Sequence, residues 1–378
     1  MWVSVGMTVY LVSVFFAGIR LVPSGNQRGI LSITSGKWHR ADVISAVACC
    51  LFAAFLLAVS TLFPMDSDES SNIEYQFFSS WFLARESGAF PPLFRFLINM
   101  TYLITDRIFM IRLPSVIFSS LSLFLFVRIA SVHVGYGAAW LLAFIAFLSE
   151  PVRSVLFSQR PYAMWIFLIL GTHFYFWRAV CGEVAAWRKY FIFAFFAAMT
   201  HYLTVFFLVA HLLYTGINRR DRPYGLFVSQ GFVFMALAPF LIPVVSNFSG
   251  VRDGLDIFKG ASFLVSDAWV LLKILWPLLL PAAVLIIKKR GTGESKLLAW
   301  STIIGTAGII AASLTSYSRV YYYSPVIILL VLWFASMIDL PWSSWSAIYK
   351  VAASVVAVVM CMLPLIQIPS QLHYKDGA

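Results

Sequence analysis

The sequence predicts an all-α, polytopic membrane protein with about eleven or twelve spanning helices. Three observations predict it. Of 378 residues, 61% are hydrophobic and only 11% are charged, against roughly 25% charged in a soluble domain. Mean hydropathy is +0.86. Apolar runs of spanning length recur from one end of the chain to the other, and a span needs about 20 mostly apolar residues.

The runs fall at about 2–22, 43–63, 109–130, 135–150, 161–180, 188–200, 202–217, 224–246, 266–288, 297–315, 321–338 and 347–367. The first lacks a basic leading region and a small-residue cleavage site, so a retained span is expected rather than a signal peptide. The runs at 188–200 and 202–217 are divided at His201-Tyr202. That division lets the positive-inside rule act consistently. With the N-terminus outside, it puts four basic clusters on the cytoplasmic side: Arg28/Lys37/Arg40, Arg178/Arg188/Lys189, Arg219/Arg220/Arg222 and Lys288/Lys289/Arg290/Lys296. Such anchors account for the net charge of +11, and no nucleic-acid partner is expected. Cys49, Cys50, Cys181 and Cys361 lie in or beside apolar runs without metal-type spacing. A single transmembrane domain, 1–378, is expected, with no separate soluble domain.

The longest outer segment, about 64–108, opens on Pro64-Met65-Asp66-Ser67-Asp68-Glu69. Carboxylates at a membrane interface can hold a divalent cation or take a proton; they equally suit a solvated helix start. From Ser70 to Ser87, Ile73, Phe77, Phe78, Trp81 and Phe82 oppose Glu74, Gln76, Arg85 and Glu86, the pattern of an amphipathic interface helix. Pro91-Pro92 then precedes a second short apolar helix, about 93–104.

Arg112, Arg160, His201 and Arg319 also stand at outer ends of spans. Singly, an arginine there snorkels to headgroups and a tyrosine joins the interface belt. Together the cations run against the positive-inside trend. A cationic cluster suits a lipid phosphate, and a neighbouring carboxylate suits removal of an acceptor proton. That combination describes group transfer with a lipid phosphate as leaving group.

The ordered motifs are Asp68-Glu69, Pro91-Pro92-Leu93, Arg112-Leu113-Pro114-Ser115, Ser158-Gln159-Arg160-Pro161-Tyr162-Ala163, Thr200-His201-Tyr202 and Arg319 to Pro325. In this order the chain resembles the GT-C superfamily of polytopic glycosyltransferases, over about residues 60–335. The likeness is to the branch with protein O-mannosyltransferases and lipid A aminoarabinose transferases. The resemblance implies transfer of a sugar from a polyprenyl-phosphate donor to a glycan, lipid or protein acceptor at the outer face. It implies Asp68 as general base, with Asp66 or Glu69 supporting it or holding a cation. Arg160, His201 and Arg319 would stabilise the departing phosphate, Arg112 would join them or fix a helix end, and Gln159, Tyr162, Tyr202 and Tyr322 would line the site.

Three departures stand against the family pattern. Glu-Ala is missing between Gln159 and Arg160, and Phe90 replaces the usual histidine before Pro91-Pro92. Both bear on metal use. The chain also stops soon after its last span, so a small acceptor or a partner protein for acceptor recognition is expected. A bacterial inner membrane is the expected location, or the endoplasmic reticulum in a eukaryote. The rival classes are a transporter, an O-antigen polymerase or ligase, and a non-catalytic subunit. Mid-span ionisable groups of the kind a transporter uses are scarce; His173 and His211 are the nearest candidates, and both are expected to be packed and hydrogen-bonded. A single-base displacement inverts the anomeric carbon, so NMR of the product is expected to show the configuration opposite to the donor's; retention would rule that mechanism out.

Overall fold

The computed structural model describes residues 2–21, 40–61, 92–104, 107–156, 158–218, 224–250, 293–315 and 320–338. Within them the protein is all-α, without a strand. Its helices are α1 Trp2–Leu21, α2 Arg40–Ser60, α3 Pro92–Ile104, α4 Ile108–Leu148, α5 Glu150–Arg153, α6 Tyr162–Val180, α7 Ala186–Thr200, α8 Thr204–Asn218, α9 Tyr224–Gly250, α10 Gly293–Thr315 and α11 Ser324–Ile338. A 3-10 turn, Val320–Tyr323, leads into α11. Among the described residues α2, α4 and α6 are long and apolar enough to cross a membrane. The expected amphipathic helix at 70–87 and the apolar runs at 266–288 and 347–367 lie outside the described residues.

Helices dominate because water-free surroundings leave backbone groups no partner except one another. Side-chain polarity follows the same rule. Ser122, Thr172, Thr215, Ser229 and Thr302 each donate to the carbonyl four residues back. The apolar faces differ in use. Val43, Ile44, Val47, Leu51 and Phe55 of α2 are exposed, as lipid contact requires, whereas most of α6 is buried among its neighbours.

α4 is two helices joined by a break. A straight helix would hold Phe126 and Phe147 about 30 Å apart, yet their rings lie 5.9 Å apart. The chain reverses at Gly135, whose φ of 78° and ψ of 163° belong to a region nearly restricted to glycine. This is the boundary between the runs expected at 109–130 and 135–150. The turn is pinned by Tyr136, whose hydroxyl donates to Asp42 Oδ1 at 2.6 Å, while Trp140 Nε1 reaches Ser45 Oγ at 3.3 Å. Asp42 and Ser45 begin α2, so the reversal is fastened to that end of the bundle. At the same end, His133 Nε2 lies 3.4 Å from Glu294 Oε2 of α10.

α6 is central: it packs on α4, α7 and α11. Its closest approach to α7 occurs at Gly171, where a Cβ would collide with the Phe193 ring. Deeper in the same group of helices, Gln230 Nε2 donates to Tyr190 Oη (2.8 Å) and to the Leu208 carbonyl (3.0 Å). Tyr190 in turn donates to His211 Nδ1 at 3.2 Å, because its oxygen is already accepting. Phe176 stacks on His211 with centroids 4.1 Å apart. His173 Nδ1–H donates to the Ile169 carbonyl at 3.0 Å. Both mid-span histidines are therefore packed and hydrogen-bonded, as expected, and join α6, α7, α8 and α9.

Replacing Gly135 by alanine forces a side chain into that glycine-only conformation, at about 1–3 kcal/mol. Gly135→Ala is expected to lower the melting temperature of the detergent-solubilised protein; an unchanged melt would mean the reversal does not depend on Gly135.

Candidate functional site

The connection between α7 and α8 forms one end of the site. α7 stops at Thr200 because His201 turns extended, with φ −153° and ψ 127°. The broken helix is repaired bond by bond. His201 N–H still reaches the Ala197 carbonyl (2.9 Å), and Thr204, Val205 and Phe206 N–H groups bond the His201, Tyr202 and Leu203 carbonyls. Leu203 N–H donates to His201 Nδ1 at 3.2 Å. The runs expected at 188–200 and 202–217 are thus two helices with a three-residue turn.

His201 is fully buried inside a ring of aromatics. Trp165 stacks on it at a centroid distance of 4.3 Å and 17°. Tyr202 lies at 5.0 Å and 29°, Tyr162 at 5.6 Å and Tyr322 at 5.9 Å, edge-on. Tyr162 and Tyr322 are themselves 5.7 Å apart. Three stretches distant in sequence, the start of α6, the α7–α8 turn and the 3-10 turn before α11, meet here. Burial pushes the His201 imidazole down from 6.5 to about 3, since a low-dielectric site penalises the charged ring. His201 is therefore neutral, and the positive charge expected of it from the sequence is corrected. With Nδ1 accepting from Leu203, the ring proton belongs on Nε2.

The 149–161 segment supplies the next wall. α5 packs against the 3-10 turn. Ser119 of α4 ties the segment down by donating to the Leu156 carbonyl at 2.6 Å. Ser158 and Gln159 are buried there, and Arg160 is half-buried two residues before Tyr162.

Arg112 is held elsewhere on the site's margin. It is 2% exposed, and Nη1 donates at 2.6 Å to the Ser60 carbonyl. That carbonyl ends α2, where a cation complements the helix dipole. Asp66, Asp68, Glu69 and Arg319 lie outside the described residues. Among the described residues no three His, Cys, Asp or Glu side chains gather as a metal-binding group.

An apolar groove of about 380 Å³ lies between α3, α4, α6 and α7. Leu93, Phe96 and Leu97 of α3 form one wall, and Phe118, Phe167 and Phe193 line the other. The last three pack ring against ring, at 5.7 and 5.6 Å. The groove and Trp165 are the parts that sequence reasoning missed. Trp165 sits three residues after Tyr162, on the same helix face, which was the available signal.

No family model matches the sequence, and no curated protein matches it. Solved structures do. The crystal structure of ArnT from Cupriavidus metallidurans bound to undecaprenyl phosphate aligns with a TM-score of 0.56 at 13% identity, over 87% of this chain and 64% of that one. The chain has a GT-C-like fold. The apo form of the same protein aligns with a TM-score of 0.49 at 14% identity, over 98% of this chain and 64% of that one. The chain thus spans 64% of that protein's length.

The neutral histidine carries a pH consequence. Once unfolding exposes it, His201 takes a proton near pH 6.5, whereas the folded ring resists until about 3. Across that window the unfolded chain binds more protons, so stability is full above 6.5 and falls as pH drops. Melts of the detergent-solubilised protein at a series of pH values are expected to show this loss, and His201→Gln is expected to make it shallower without abolishing it.

Proposed function

We propose that this chain is a membrane glycosyltransferase that moves a sugar from a polyprenyl-phosphate donor to an acceptor on the outer, periplasmic or lumenal, face. The observation that carries the reading is the convergence of Tyr162, His201, Tyr202 and Tyr322 in one aromatic cluster; a separate apolar groove between α3, α4, α6 and α7 has room for a lipid chain. The likeness to ArnT supports it, because that protein's crystal structure contains undecaprenyl phosphate.

In this reading the donor lies with its isoprenoid chain in the groove and its phosphate by the aromatic pocket. An acceptor hydroxyl or amine attacks the anomeric carbon. The bond from that carbon to the phosphate oxygen breaks, polyprenyl phosphate departs, and Asp68 takes the acceptor's proton. Asp66 or Glu69 supports Asp68 or holds a divalent cation. Arg160 and Arg319 balance the charge developing on the phosphate. His201 adds a neutral N–H donor, which stabilises a phosphate oxygen without titrating near pH 7. Gln159, Tyr162, Tyr202 and Tyr322 line the sugar and phosphate, while Arg112 holds the end of α2 in register with α4. The whole chain acts as a single transmembrane domain in a bacterial inner membrane. The acceptor is a glycan, lipid or protein, and a partner protein assists in recognising it.

The test is transfer in vitro from a panel of polyprenyl-phosphate sugars, with products identified by mass spectrometry. Wild-type protein is expected to glycosylate an acceptor from at least one donor, and Asp68→Asn to cost at least about a hundredfold, as loss of a general base does. Transfer undiminished in Asp68→Asn would remove Asp68 from the chemistry. Failure with every donor would remove the reading.

A further inference from the structure

Within its own turn the His201 ring accepts at Nδ1 from Leu203 N–H. That bond sets one nitrogen but leaves the ring plane to its neighbours. Trp165 supplies the plane. It is fully buried, lies almost parallel to the imidazole at 17°, and faces Tyr202 across it, also near parallel.

The indole is itself immobilised. Trp165 Nε1–H donates to Thr204 Oγ1 at 2.8 Å, and that hydroxyl donates to the Ala197 carbonyl at 2.9 Å. One oxygen thereby links α6, α8 and the last turn of α7. Phe207 closes the other edge of the indole, 6.0 Å away and edge-on. The indole N–H is the costliest part of the side chain to bury without a partner, and the partner it finds here fixes the indole plane.

We infer that Trp165 is a positioning residue: through Thr204 it clamps the His201 imidazole in one plane and one tautomer, so that its Nε2 edge is presented to the phosphate of the donor. The inference rests on the transferase reading for its catalytic consequence and on geometry alone for the clamp. Trp165 touches no reacting atom. It acts by removing the ring rotation that His201 would otherwise have to lose in the transition state, and small misplacements of such a group are costly.

The test uses the full-length protein labelled at histidine in detergent micelles, with long-range proton–nitrogen spectra of the imidazoles. The His201 signals are assigned by their loss in His201→Gln. In wild-type protein they are expected at Nε2-protonated positions, with carbon-bound protons moved upfield by the stacked indole. Trp165→Leu is expected to abolish the upfield displacement and mix the tautomers. Thr204→Val, which leaves the stack but removes the acceptor, is expected to give a partial effect. His173 and His211 signals at wild-type positions establish in each variant that the bundle is intact.

In the transfer assay, Trp165→Leu is expected to lower kcat by about ten- to a hundredfold with KM nearly unchanged. His201 signals and kcat that do not move in either variant overturn the inference. So does a kcat loss with His201 signals unmoved, because the indole would then act by another route. If wild-type protein transfers no sugar at all, the spectra still decide the clamp, and only the transferase reading falls.

Discussion

The structure depends on repairing every break in helical hydrogen bonding from within the protein. The turn at His201 shows how. Ending α7 and starting α8 frees several backbone donors and acceptors, and in a dry interior each orphan costs several kcal/mol. Tight bonds from 204, 205 and 206 back to 201, 202 and 203 consume most of them. The Thr204 hydroxyl takes the Ala197 carbonyl, and the His201 ring takes the Leu203 N–H. The side chains that distinguish this turn are thus already employed in closing it. Arg112 does the same service for α2 at the Ser60 carbonyl.

That economy shapes the chemistry. A ring enclosed by Trp165, Tyr162, Tyr202 and Tyr322 stays uncharged and rigid, which suits a hydrogen-bond donor better than an ion. In the proposed transfer, charge would then come from arginine, whose guanidinium keeps its proton under any realistic burial. Arg160, half-buried one residue before Pro161, and Arg319, just before the 3-10 turn, flank the aromatic ring in sequence. The proposed division of labour is between a fixed neutral dipole and permanent cations.

Much of the fold was legible in the sequence because hydrophobic length and charge sidedness report on the membrane directly. The break at His201 followed from requiring basic clusters to share a face. The short helix after Pro92 followed from proline's tolerance at a helix start. The reversal at Gly135 was visible as a gap between apolar runs, though not as a glycine conformation. The site was legible only as an ordered set of polar residues at span ends. Trp165 escaped because an indole within an apolar run looks like a lipid-facing residue. The charge state of His201 escaped because ionisation depends on enclosure, and enclosure is made by residues as distant in sequence as Tyr162, Trp165 and Tyr322. The groove escaped for a similar reason, its described lining coming from four separate helices and being wholly apolar.

That last feature limits what the groove can distinguish. A wall built of Leu93, Leu97, Phe118, Phe167 and Phe193 offers only contact and girth. It has no means of measuring how long a hydrocarbon is, or of registering where its double bonds fall beyond the first few units. If the proposed lipid donor lies there, selection among lipids that fit would be made at the polar end, leaving the tail as an anchor that any sufficiently slender chain could provide.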